Sequence, residues 1–328
     1  MIAEPTPLPE QPERRGLGGS DAAAAIGLSP WKAPITLWQE KLGQLAEWEG
    51  NEPAYWGTVL EPVIREHYAR LHDARIYVPP GPLYDSERPW MRASPDGIVL
   101  VGEDEWDRGL EVKAPGLRQD EHWGADGSED VPIVYEVQAR WYLHVTKLPR
   151  WDFAVLIGGQ GYRGYAIERD LEVEEAIVGE AEYFWDHYVV PRVPPPPDAT
   201  SEYSEYLARS YAKKRKDYLV ATVELDAKVS QLVELREQLK AVERDKKLLE
   251  NQVRAAIGDA AGVDTSLGRL KNTLVKGRRQ TNWQAVAEEL LLQVPLAGLA
   301  IERDDLIAKH TKRGSSYHRF YGPREAKR

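Results

Sequence analysis

Two carboxylates, Asp96 in Ser94-Pro95-Asp96-Gly97 and Glu111 in Glu111-Val112-Lys113, are separated by the apolar run Gly97-Ile98-Val99-Leu100-Val101 and an acidic turn. Alternation along a strand puts Glu111 and Lys113 on one face and Val112 on the other. If Asp96 stands at the adjoining end of a hairpin, two carboxylates and one ammonium converge. That set suits phosphodiester hydrolysis. Hard oxygen ligands hold Mg2+, with Mn2+ as a substitute; the cation stabilises charge on the phosphate and lowers the pKa of water, which Lys113 orients or deprotonates. A lysine can act as a base where its surroundings depress its pKa. The bland alternative is a solvated strand face with an exposed ion pair, because an acidic-x-Lys triplet arises by chance roughly twice in a chain of this length. Context favours the chemistry: Pro-Asp-Gly precedes the strand, and an upstream helix carries Glu61 near an apolar face.

These residues need elements to position them. In Gly-Gly-Ser20-Asp-Ala-Ala-Ala-Ala, Ser20 is a candidate N-cap, the alanines a short helix and Gly27 its stop. A second helix runs from Pro34 to Gly43. A third presents Leu60, Ile64, His67, Tyr68 and Leu71 on one face. If it begins near Thr58, Pro62 falls close to its first turn; otherwise the proline interrupts the helix beside Glu61. Strands are expected at 75–78, 97–101, 109–113 and 153–158, with an acidic hairpin turn at 103–108. A helix over Val134 to Thr146 and one more strand near 164–170 follow. This order fits an α/β (α+β) fold, a mixed central sheet flanked by helices.

Residues 171–190 read as helix, and the proline run that follows reads as a polyproline II connector. Beyond it, Leu225, Val229, Leu232, Leu239, Val242, Leu249 and Val253 keep near-heptad spacing with one break in register. A long helix or a helical hairpin follows, with coiled-coil character as an option. The tail from Gly268 mixes a strand, a helix at Trp283 to Leu292 and a basic end. The domain reading is a disordered leader (1–13), a core (14–190), a proline-rich connector (191–200) and a basic helical C-terminal region (201–328).

Composition excludes several classes. The 328 residues contain no Cys, so disulfides, thiolate metal sites and iron-sulfur clusters are ruled out. The chain holds 11 Trp and 16 Tyr, bulky core material that a disordered chain would lack. No run of eighteen apolar residues is present, so no membrane partner is expected and a cytoplasmic location follows by default. The net charge of −10 is unevenly spread, −17 over residues 1–200 and +7 over 201–328, which assigns the two parts different jobs. Lys213 to Lys216, between Tyr211 and Tyr218, offers backbone contacts to DNA or a solvated helix end. His67, His72 and His144 lack ligand spacing. The glycines at 158–164 do not form a triphosphate-binding loop.

Taken in order, the segments RRGLGGSDAAAAIGLSPW, WGTVLEP, RASPDGIV, LEVKAP and YEVQARWYLHVTK resemble the YqaJ and lambda exonuclease family of phage recombination nucleases. The resemblance covers about residues 14–190. It implies a PD-(D/E)XK fold and divalent-metal cleavage of DNA, with 5′-to-3′ degradation of double-stranded ends. Asp96 and Glu111 would be direct metal ligands, the Val112 carbonyl a further one, Lys113 would act on the water, and Glu61 would support the metal. Gln138 and Tyr142 share a helix face; alone they read as a half-buried helix with an aromatic anchor. In the family, the glutamine lies beside the catalytic strand and helps hold the DNA end. Arg14 or Arg15, Ser20 and Ser94 match a 5′-phosphate pocket, completed by Gln138 and Tyr142. A second family glutamine is Arg140 here. The partners implied are double-stranded DNA ends, a single-strand annealing protein and further copies of the chain in a trimer, inside a phage-infected or prophage-bearing host cell. Two other readings are an endonuclease of restriction or repair type and an inactive nuclease scaffold that binds DNA or protein.

Overall fold

A computed structural model of the chain describes residues 16–45, 50–213, 217–275, 279–293, 309–313 and 317–321. The expected leader, Arg14 and Arg15 lie outside them. In chain order the first unit contains β1 (Leu17–Gly18), α1 (Gly19–Ala25), α2 (Pro34–Lys41), α3 (Glu52–Leu71), β2 (Arg75–Tyr77), β3 (Leu83–Tyr84), β4 (Met91–Ala93), β5 (Gly97–Val101), β6 (Glu105–Lys113), α4 (Ile133–Thr146), β7 (Arg150–Ile157), β8 (Gly161–Glu168), α5 (Leu171–Phe184) and α6 (Ser201–Ser210).

The main sheet is mixed, with order β2-β5-β6-β7-β8. Only β6 and β7 run parallel, joined by a crossover that contains α4, as parallel neighbours require. Alternation sorts the side chains onto two faces. Trp151, Phe153, Val155 and Ile157 of β7 join a large core with Trp141 and Leu143 of α4. Ala154 joins a smaller cluster with Leu110, Val112, Ile64 and Tyr68. Each fully buried large side chain contributes about 1.5–3 kcal/mol through lost apolar exposure. At Gly109 a Cβ would fall 2.2 Å from the Trp151 ring, so glycine lets that indole lie across the neighbouring strand.

Several expectations change. The connection between β5 and β6 is only Gly102–Asp104, with Gly102 at φ 59°. Residues 105–108 are therefore strand and not turn, because a short glycine-containing link closes the hairpin sooner. Helix α3 starts at Glu52, where the Asn51 side chain accepts from the Ala54 amide at 3.0 Å. Pro62 thus sits well inside the helix, and Leu71 is 59% exposed in its last turn, beyond the small cluster. Helix α5 continues into a π-helical turn at Trp185–Val189.

The chain divides into two compact units between Arg215 and Lys216, later than the proline run suggests. Helix α6 belongs to the first unit. The Tyr203 hydroxyl donates to the Pro195 carbonyl at 2.9 Å, the Tyr206 ring lies 6.0 Å from Trp38, and Arg209 donates to Gln39. The prolines lead a packed segment and do not end the core. The second unit has α7 (Val223–Ile257), β9 (Gly262–Thr265), β10 (Gly268–Val275), β11 (Arg279–Thr281), α8 (Trp283–Gln293), β12 (Thr311–Arg313) and β13 (Tyr317–Tyr321). Helix α7 is one unbroken helix of 35 residues with none buried. Of the basic cluster at 213–216 only Lys213 is among the described residues.

Candidate active site

The pairing of Gly97 with Leu110 across the β5/β6 hairpin brings Asp96 alongside Glu111. The Val112 amide donates to Asp96 Oδ2 at 2.7 Å. Lys113 donates to Glu111 Oε1 at 2.5 Å, and Gln138 of α4 donates to the same oxygen at 2.8 Å. Gln138 also donates to the Tyr142 hydroxyl at 3.2 Å, and that hydroxyl donates to the Ser94 carbonyl at 3.3 Å. The expected strand alternation therefore holds: Glu111 and Lys113 face α4, while Val112 joins the opposite cluster.

Glu61 lies on α3 at the same cleft, held by Arg65, whose guanidinium donates to Glu61 Oε1 at 2.6 Å and to the Asp96 carbonyl at 2.9 Å. Arg65 was not singled out in the sequence. Its signal was the i,i+4 spacing to Glu61, which does not show the link to Asp96. The cleft encloses about 650 Å³ and is lined by Glu61, Asp96, Glu111, Lys113, Gln119 and Tyr135 among others. Thr58, whose carbonyl loses its helical donor to Pro62, lines it too.

The electrostatics are strained toward binding a cation. Burial and the charge of Glu111 push the Asp96 carboxyl up to about 8. Glu111 is raised as well, chiefly by burial, against the pull of Lys113. Its Oε2 is buried with no hydrogen-bond partner, and such an oxygen is costly to leave unmatched. For Lys113, burial alone would lower the pKa, but the Glu111 and Asp96 carboxylates outweigh it and hold the ammonium charged. Of the two roles open to Lys113, orienting or deprotonating the water, the raised pKa suits the first, because two acids face one base.

Among the described residues no three His, Cys, Asp or Glu side chains are close enough together to form a metal cage. The donors that do converge are two carboxylates, one of them with an unmatched buried oxygen, in a cleft that Val112 also lines. This oxygen-only set fits a hard divalent cation that keeps several waters, as Mg2+ does.

The residues matched to a phosphate pocket are only partly assembled. Ser94 is exposed next to Asp96. Ser20 is exposed too, but it is not the cap of α1: the N-cap is Gly18, whose amide donates to Asp21 Oδ2 at 3.1 Å. Asp21, overlooked in the sequence, is buried and pairs with Lys41 at 2.6 Å. Removing one partner of such a buried pair costs about 3–5 kcal/mol. The pair fixes α1 to α2. Gly19 then meets Tyr142 so closely that a Cβ would lie 2.4 Å from the ring, which ties the glycine-rich segment to the α4 face of the site. His144 is buried on the far side of α4, near Glu174, and takes no part. Arg140 pairs with Glu136 at 3.1 Å.

These features define a mixed α/β protein with a carboxylate and lysine site where a strand hairpin meets a crossover helix. The chain belongs to the YqaJ-like viral recombinase family. That domain matches residues 11–149, a stretch containing Glu61, Asp96, Glu111, Lys113, Gln138 and Tyr142. The chain is 31% identical over 251 residues, 75% of its own length and 76% of the relative's, to the Bacillus subtilis (strain 168) protein named Uncharacterized protein YqaJ. Among solved structures it is similar to an alkaline exonuclease (LHK-Exo) from Laribacter hongkongensis, with 20% identity and a TM-score of 0.44 over 60% of this chain and 93% of that one. The same enzyme in complex with dAMP gives 20% identity and 0.45, over 61% and 95%. A phage related exonuclease from Haemophilus somnus 129PT gives 11% and 0.37, over 54% and 96%. No helix among the described residues is long and apolar enough to cross a membrane.

Proposed function

We propose that this chain is a divalent-metal-dependent exonuclease that degrades double-stranded DNA ends 5′ to 3′, in the end processing that precedes strand annealing. The observation that carries the reading is the buried, unmatched Oε2 of Glu111 beside Asp96 and Lys113. Asp96, Glu111 and the Val112 carbonyl would hold Mg2+ or Mn2+, supported by Glu61. When bound, the cation supplies neutralising charge for the phosphate and acidifies water. Lys113 holds an ammonium proton at Nζ and orients the attacking water through it. Gln138 fixes Glu111 Oε1, and Arg65 fixes Glu61 relative to the Asp96 backbone.

End selection in this reading belongs to Arg14 or Arg15, Ser20, Ser94, Gln138 and Tyr142 around a 5′-phosphate, with charge-assisted bonds from arginine. The partners are linear duplex DNA, a single-strand annealing protein and further copies of the chain in a trimer. Catalysis is tested with purified protein, Mg2+ and matched linear and closed circular duplex. Nucleotides released from the linear DNA alone support the exonuclease. Nicks in the circle turn the reading to an endonuclease, and no cleavage of either sinks it. End selection is tested separately: 5′-phosphate ends should be resected faster than 5′-hydroxyl ends, and indifference would remove the pocket.

A further inference from the structure

Next to the cleft lies a second cavity of about 520 Å³, lined by Trp31, Gln119, His122, Trp123, Ile133 and Tyr135 among others. Trp31, Gln119 and Tyr135 line both spaces. The Tyr135 ring is stacked on the buried Trp123, with centroids 5.4 Å apart and planes at 23°. Trp31 lies 6.0 Å from the same ring, tilted at 41°, and is 59% exposed. Lys113 Nζ sits 4.9 Å from the Tyr135 centroid, so the aromatic wall begins within one side chain of the acidic cluster.

We propose that this cavity is a stacking subsite for a single unpaired nucleobase of the DNA strand held in the cleft, an inference that rests on the nuclease reading. Three features select that occupant. The shared lining residues Trp31, Gln119 and Tyr135 set the cavity next to the cleft where a phosphodiester would lie. Among prolines and aliphatic side chains its walls include the rings of Trp31, Trp123 and Tyr135, with Trp31 largely exposed, and an aromatic face accepts any base because every base has a π-face. Gln119 and His122 add polar groups at the rim, suited to a base edge and tolerant of its identity.

Charge supplies the reason for such a subsite. Glu61, Asp96 and Glu111 face one lysine in the cleft, and Arg65 is occupied by Glu61. The side chains by themselves, before any cation is held, offer a phosphate little attraction there. Stacking is indifferent to that charge and can hold the strand close to carboxylates that would otherwise repel it. A terminal base is held by pairing to its partner and by stacking on the one neighbour inside, so the terminal pair must open before its base enters the cavity. Seating the base then fixes the adjoining phosphodiester over Asp96 and Glu111, which is a positioning role for Trp31.

The test uses the full chain with Ca2+ in place of Mg2+ and fluorescently labelled duplexes bearing a one-nucleotide 5′ overhang. In one duplex the overhanging nucleotide carries its base; in the other it is abasic, with identical phosphates. The wild-type protein is expected to bind the base-bearing end about tenfold more tightly. Trp31→Ala should bind both ends with the affinity of the abasic one, and Trp31→Phe should restore most of the difference. Trp31 is largely exposed, so its truncation leaves the core untouched; circular dichroism checks this. Equal binding of both ends by the wild type, or full discrimination by Trp31→Ala, overturns the subsite while the nuclease reading stands, leaving the cavity to an apolar side chain of a protein partner. Failure of the wild type to bind either duplex, together with no cleavage in Mg2+, overturns both.

Discussion

Replacing Gln138 by leucine separates a ligand-orienting role from a packing one. Glu111 is 3% exposed, and its Oε1 accepts from Lys113 and Gln138 while Oε2 has no partner. Leucine keeps most of the side-chain volume and removes one of two donors. A hydrogen bond to a charged group contributes about 1.5–3 kcal/mol, and this buried carboxylate has little access to water that could replace it. Its charged form is disfavoured further, in a group whose pKa burial already raises, and a cation must displace the retained proton. Mg2+ affinity is therefore expected to fall by about 10–100-fold, the usual cost of losing a partner that orients a metal ligand. The Mg2+ requirement should also move to higher pH. The Tyr142 hydroxyl keeps its bond to the Ser94 carbonyl, so the fold should survive. Calorimetric titration of Mg2+ and Mn2+, with cleavage measured against metal concentration, reads the effect. Unchanged metal affinity in a variant with lower thermal stability would refute the reasoning, since packing alone then explains the glutamine.

Three further outcomes are expected. Lys113→Ala should abolish cleavage in Mg2+ while leaving duplex binding within a few-fold, because it removes a group that acts on water and contributes little to affinity; near-normal turnover would end that assignment. Asp96 binds its proton more tightly folded, with a pKa of about 8 against the ordinary 3.8. Its contribution to the stability of the metal-free protein is fully present below 3.8 and is lost as pH rises through about 8. Thermal melts in EDTA should decline across that window, and Mg2+ should restore stability increasingly up to pH 8; a pH-independent metal effect would contradict this. Truncation after Arg215 should leave a folded unit whose net charge is −15, having lost a segment of +5. Its duplex binding should be weaker and fall less steeply with salt, because fewer phosphates are neutralised; matching affinities across a salt series would remove any DNA role for the second unit.

What the sequence determined by itself was local and periodic. Strand alternation placed Glu111 and Lys113 on one face and Val112 on the other, i,i+4 spacing joined Gln138 to Tyr142, and Pro34 and Gly43 bounded α2. These follow from fixed backbone repeats, which any reader of the chain can apply. The tertiary structure decided everything set by contacts distant in sequence. The cap of α1 moved from Ser20 to Gly18 because Asp21 turns back to the Gly18 amide while Lys41 holds it from another helix. The unit boundary moved past the prolines because Tyr203 and Tyr206 found partners in the core. Lys113 stayed charged because Asp96 and Glu111 both face it, a balance that depends on burial and distance. The aromatic wall of Trp31, Trp123 and Tyr135 assembles from a loop, the end of a 3-10 turn and the start of α4. Residues so far apart share no period, so only folding could bring their rings together beside the acids.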